Sequence, residues 1–165
     1  MGNAETGQTW TPLSATTWGI QSNQAYCPGP AANNKTATCI DAGVANATVK
    51  VTCSVLDAPG LSSRVFARLS DVDNCLRFDN DGNAPNNILY RVQAGTPTSI
   101  AGPAAAGASG DVIEIVCAGN SISVKRNGSV ILGPVTEAFN NTATKYGIGQ
   151  VDSAAAARFD NFSVT

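Results

Sequence analysis

Residues 47–56 alternate without a break: Ala47, Val49, Val51, Cys53 and Val55 share one face of an extended chain, and Thr48, Lys50, Thr52 and Ser54 the other. That period of two predicts a strand with one face on a core and one in water. Pro59-Gly60 marks a turn, after which Val65, Ala67 and Leu69 are expected to point one way and Arg64, Phe66 and Arg68 the other. Leu76 and Phe78 resume the pattern beyond a second turn at 71–74. Further strands are expected at 88–93, 111–118, 121–126, 129–132, 144–149 and 157–164. Asn127-Gly128, between Val124 and Val130, reads as a type I′ hairpin turn, because both positions tolerate positive φ. One short helical turn is expected at 136–141, and the Ala-, Gly- and Pro-rich stretch 101–110 reads as an exposed loop.

No segment sustains a helical period. About a dozen short strands, with turn signals every ~8–12 residues, predict an all-β fold of two antiparallel sheets packed as a sandwich, rather than a barrel or propeller. The Trp18-Gly19-Ile20 segment near the start and Arg158-Phe159-Asp160-Asn161-Phe162-Ser163-Val164 at the end suggest that early and closing strands lie side by side. With 165 residues the chain is expected to form one domain over 10–165, preceded by an arm at 1–9, with Trp10 docked on the body.

Composition then removes whole classes of function. Charged residues are only 13% of the chain and the net charge is −2, with ten Lys and Arg spread singly but for the pair Lys125-Arg126, so there is no basic stripe for nucleic acid or an anionic membrane surface. No run approaches the ~18 apolar residues of a membrane span. Residues 1–26 hold Glu5, Gln8, Gln21 and Gln24 and lack the apolar stretch of a signal peptide. The chain is therefore expected to stay in the cytoplasm where it is made, or to leave it inside a larger assembly. The five cysteines, Cys27, Cys39, Cys53, Cys75 and Cys117, have no CxxC spacing, and there is no His, which disfavours zinc. Cys53 and Cys117 continue period-two apolar rows and read as small buried hydrophobes. Cys27 and Cys39 flank a polar loop and are candidates for a pair, against which stands the missing secretion signal.

Catalysis finds little support. Glycoside hydrolysis needs two carboxyl groups about 5–9 Å apart, yet the only Glu are Glu5, Glu114 and Glu137, with no alternating acidic pair on one strand face. Glu114, opposite in sense to Ile113 and Ile115, reads as a solvated residue of an outer sheet face. Without His, the ordinary base for a Ser or Cys nucleophile is also missing. Binding is better served. Trp18, Tyr26, Tyr90 and Tyr146 are the candidates for stacking on sugar rings, although large aromatics more often serve as core. Asp79-Asn80-Asp81-Gly82-Asn83 alternates oxygens as calcium loops do, but Ala84 and Tyr90 stand where an EF-hand needs Gly and Glu, so a turn is the better reading. Asp160 sits between Phe159 and Phe162 within a strand, where a buried carboxylate needs a hydrogen-bonding or metal partner.

Several short segments, in order, carry a family likeness: Thr6-Gly7-Gln8-Thr9-Trp10-Thr11, Thr17 to Tyr26, Val65 to Asp71 with Asp73-Asn74, Gly110 to Ile115, Val124 to Gly128, Tyr146-Gly147-Ile148-Gly149 and Ala157 to Phe162. Together they make the chain resemble the concanavalin A-like lectin/glucanase superfamily, in particular the laminin-G-like jelly rolls of bacteriophage minor tail and other virion surface proteins. The resemblance implies a structural calcium held by Asp160 where the termini meet, although ligands from the start of the chain are not recognisable. It implies a non-enzymatic virion protein of a tailed phage, in a tail, fibre or capsid, assembled in the host cytoplasm. The partners would be other virion proteins and host-surface glycans, with a homo-oligomer for display. A carbohydrate-binding module from a secreted bacterial protein is the alternative, and a degenerate glycoside hydrolase stands behind it.

Overall fold

A computed structural model describes residues 8–13, 17–29, 36–151 and 156–165. The first strands are β1 (Thr11–Pro12), β2 (Gly19–Gln21), β3 (Gln24–Tyr26), β4 (Thr36–Asp41), β5 (Thr48–Val55), β6 (Ser63–Asp71) and β7 (Asn74–Asn80). After one 3-10 turn at Ala84–Asn86 come β8 (Leu89–Gln93), β9 (Thr96–Ala101), β10 (Asp111–Ala118), β11 (Ser121–Arg126), β12 (Ser129–Thr136), β13 (Lys145–Gln150) and β14 (Arg158–Val164). They form two antiparallel sheets in the orders β1-β4-β13-β6-β7-β8-β9 and β12-β11-β10-β5-β14-β3-β2. The chain is thus an all-β, two-sheet sandwich, as its alternation predicts. Among the described residues no helix is long and apolar enough to cross a membrane.

The inward rows are those the sequence marks. Val49, Val51 and Cys53 of β5 face Val65 and Ala67 of β6, and Ile113, Ile115 and Cys117 of β10 join Leu76, Phe78, Tyr146, Ile148 and Phe159 in one buried core. Each such aliphatic or aromatic side chain contributes about 1.5–3 kcal/mol through burial. The early and closing segments meet as expected. Phe159 pairs with Ala25 and its ring lies 6.0 Å from that of Trp18. Trp10 docks on Phe162 with ring centroids 4.8 Å apart. The rest of the expected arm, residues 1–7, lies outside the described residues. At Asn127-Gly128 the φ values are 53° and 81°, as a type I′ turn requires.

Two expectations of local structure are corrected. Leu69 does not share a face with Val65 and Ala67: Arg68 adopts φ 48° at a bulge, and the extra residue turns Leu69 to the outer side. At 136–141 there is no helical turn. The end of β12 leads into turns closed by Asn141 N–H to Ala138 O (3.3 Å) and Ala143 N–H to Asn140 O (2.9 Å). The stretch 101–110 is, after the last residue of β9, the mostly exposed loop expected of it, tethered where Ala104 and Gly107 donate their N–H groups to Asn87 O and Asp81 O. All five cysteines are free and buried. Cys27 belongs to the central core and Cys39 to a second cluster outside the first sheet, so they do not pair.

Candidate functional site

The second cluster lies on the outer face of the β1-β4-β13-β6-β7-β8-β9 sheet. Because β6, β7 and β8 alternate, the residues between their core rows point away from the core: Arg64 and Phe66 from β6, Cys75, Arg77 and Asp79 from β7, Tyr90 and Val92 from β8. Antiparallel register sets Arg64 opposite Asp79, Phe66 opposite Arg77, and Arg77 opposite Tyr90. Directly paired positions bring side chains within reach of each other.

Four polar groups therefore converge from three neighbouring strands. Arg77 grips Asp79 two residues along the same face, with Nε 2.7 Å from Oδ1 and Nη2 donating to Oδ2 at 3.1 Å. Arg64 Nε lies 3.4 Å from the same Oδ1. The Arg77 guanidinium sits over the Tyr90 ring, 5.0 Å from its centroid, a favourable cation–π geometry. Burial, then the nearby Asp79 carboxylate, push the Tyr90 phenol above its ordinary range. Arg64 and Asp79 are buried, whereas Arg77 and Tyr90 are half-buried and reach the surface. Ala37, Cys39, Phe66, Leu69, Cys75 and Val92 form the apolar floor beside them. Gly149 is part of that floor for a steric reason: a Cβ there would lie 2.7 Å from Phe66 Cε2.

This arrangement can offer donors, an acceptor and part of a phenol side by side to a hydroxyl-rich ligand. It is ill-suited to hydrolysis. Asp79 is locked between two guanidiniums, and the two described glutamates lie elsewhere. Glu114 is on the outer face of the opposite sheet, 3.9 Å from Lys50 and with its side chain only 16% exposed, so it is less solvated than expected. Glu137 accepts from Phe139 N–H and lies 3.5 Å from Arg91 Nη1.

The residues singled out from the sequence separate. Trp18 and Tyr146 are core residues, 3% and 0% exposed, and have no ring face for a sugar. Tyr146 instead donates its hydroxyl to Ala45 O at 2.7 Å. Tyr26 is half-buried on the outer side of the other sheet, its ring beneath Arg158 at 4.8 Å and its edge against Gly19. Of the four, only Tyr90 joins the polar cluster. Arg64, Arg77 and Asp79 were missed as a site; their signal was the pair Arg77 and Asp79 at alternate positions on the non-core side of a strand flanked by apolar rows. Asp160 is half-buried opposite Thr52, and its Oδ1 accepts the Asn161 N–H at 2.8 Å. Among the described residues there is no group of three or more His, Cys, Asp or Glu that could hold a metal ion. In the loop after β7, Asp81 is occupied by Gly60 N–H, Ser62 Oγ–H and Asn83 N–H, which makes this segment the hydrogen-bonded turn expected of it.

Comparison with known proteins bears on the fold. No protein-family model matches the chain, and no curated protein does. Among solved structures it is similar to the carbohydrate-binding module CBM66 from Bacillus subtilis, with TM-score 0.68 and 12% identity over 95% of this chain and 96% of that one. A glycosyl hydrolase candidate from Parabacteroides distasonis gives TM-score 0.55 at 13% identity, over 95% and 98% of the two chains. A human SPRY domain gives 0.52 at 13% identity, over 89% and 96%. These likenesses show the two-sheet jelly-roll sandwich fold. None of the three is named as a virion protein.

Proposed function

We propose that this protein is a non-catalytic glycan-binding module, and that its ligand meets the outer face of the first sheet at Arg77, Asp79 and Tyr90, with Arg64 behind them. The observation that carries this reading is the convergence of two guanidiniums, a carboxylate and a phenol on one sheet face, in a fold shared with a carbohydrate-binding module. Sugar hydroxyls are both donors and acceptors, and a carboxylate held by arginines satisfies both roles within one small patch. Asp79 is engaged by two guanidiniums rather than free to act as an acid or nucleophile, which argues for binding rather than cleavage.

Display on a virion, in a tail, fibre or capsid and as a homo-oligomer, rests on the family resemblance of the sequence alone. Multivalent display would multiply a weak glycan contact without any new one. Mass spectrometry of purified particles from the source tests that setting.

A glycan array followed by calorimetry tests the module itself. Wild type is expected to bind at least one glycan class without releasing reducing sugar. Arg77→Ala should weaken binding by about tenfold or more, the usual loss for a charge-assisted hydrogen bond, while retaining the β-sheet circular dichroism signal. Silence across the array, turnover of a bound glycan, or unchanged affinity in Arg77→Ala would each reject the reading.

A further inference from the structure

At the end of the sandwich where β6 and β10 begin, the Arg126 side chain runs into a cage of oxygen atoms. Its Nη2 donates to Asn80 Oδ1 at 2.9 Å and to Asn87 Oδ1 at 2.7 Å. Its Nη1 donates to Ala105 O at 2.8 Å and Ala106 O at 3.0 Å. Nε lies 3.3 Å from Asp111 Oδ2. These oxygens come from the end of β7, the β7–β8 connection, the 102–110 loop and the start of β10. Two amide oxygens, two backbone carbonyls and a carboxylate are the ligand types that a hard divalent cation collects.

Two of the five oxygen donors, Asn87 and Asp111, are oriented by partners other than the arginine. Asn87 Nδ2 donates to Asp81 O (2.9 Å) and Asn83 O (3.0 Å), which fixes its Oδ1 toward the centre. Asp111 is oriented by Asn127 Nδ2 at 2.9 Å and by Ala108 N–H at 2.8 Å. Gly107 lets the loop close over Asn80, since a Cβ there would lie 2.5 Å from Asn80 Oδ1. Oxygens oriented by their own partners are the supporting shell that metal sites have. We propose that this is a divalent-cation cage whose resident cation is the Arg126 guanidinium, and that this internal cation ties the 102–110 loop to the β7–β8 corner in place of a metal ion.

Thermal unfolding of the full chain tests the idea, with calcium chloride as the probe. Wild type should melt at the same temperature, within about 1 °C, in EDTA and in 10 mM calcium. Arg126→Ala should melt roughly 6–10 °C lower and recover about 3 °C or more in calcium, but not in sodium chloride of equal ionic strength. Arg126→Gln, closer in size, serves as the milder variant and should show the same calcium-dependent rise. The proposal fails if calcium leaves both variants unmoved, if it raises wild type equally, or if neither variant folds even with calcium present.

Discussion

A single residue's role follows from which side of its strand it occupies. Tyr146 alternates into the core, so its hydroxyl must find a partner there, and it does in Ala45 O. Tyr146→Phe should cost about 1 kcal/mol, the net worth of one buried hydrogen bond, in a urea denaturation midpoint with unchanged slope. The thiols are fixed by the same logic. Burial pushes Cys39 and Cys117 up to about 11 and Cys53 and Cys75 up to about 12. Only the thiolate reacts, so these four thiols should stay unlabelled by a disulfide reagent at pH 8 in the native protein and react at once in guanidinium. Rapid native labelling at any of them would contradict their burial. The aromatic candidates show what sequence leaves open at this scale. Composition supplies four rings, but which side of the sheet each faces depends on register, and only Tyr90 ended beside charged groups. Arg77 and Asp79 were legible as alternate residues, but not as a pair gripping each other and meeting Tyr90, because that depends on the strand across from them.

Strands were legible where one face is buried and the other wet. β5 and β10 alternate cleanly and were placed within a residue or so, as was the Asn127-Gly128 turn. β4 was not seen, because it lies between β1 and β13 and is buried at Thr36, Ala37, Thr38, Cys39 and Ile40 alike, which erases its period. β9 is an edge strand with Pro97 within it and mostly exposed residues, so it carries little apolar signal. Arg68 shows the third cause. Its bulge shifts register inside β6, and the alternation rule then puts every later residue on the wrong face. The glycines of β13 make a prediction at this scale. Gly149→Ala would bring a Cβ 2.5 Å from Thr36 O and 2.7 Å from Phe66 Cε2. Backbone cannot yield there as a flexible side chain would, so a loss of about 1–3 kcal/mol is expected from overpacking. Phe66→Leu combined with it should recover part of that loss, which a double-mutant cycle measures.

Across the whole molecule, each end of the sandwich is closed by an arginine that reaches from one sheet to loops of the other, half-buried at one end and fully buried at the other. Arg126 closes one end. At the other, Arg68 is fully buried and donates to Gly119 O and to Glu137 O, with Asn46 Oδ1 beside them. Each guanidinium answers carbonyl oxygens that the turns would otherwise leave unpaired. The Arg126 end also carries Asp81, and with it a dependence on acidity. Burial would raise its carboxyl, but hydrogen bonds from Gly60 N–H, Ser62 Oγ–H and Asn83 N–H outweigh that and hold it below its ordinary 3.8. A carboxylate whose folded pKa is depressed stabilises the fold fully above its unfolded value and loses that contribution as pH falls through the folded one. The melting temperature should therefore be level above about pH 5 with respect to this group and drop below 3.8, as protonation removes an acceptor that three donors share. Asp81→Asn should lower the melting temperature at pH 7, where the charged acceptor is at full strength, and narrow the gap to wild type as the pH approaches 2. A gap that stays constant from pH 7 to pH 2 would mean that the carboxylate's charge does not hold this end together.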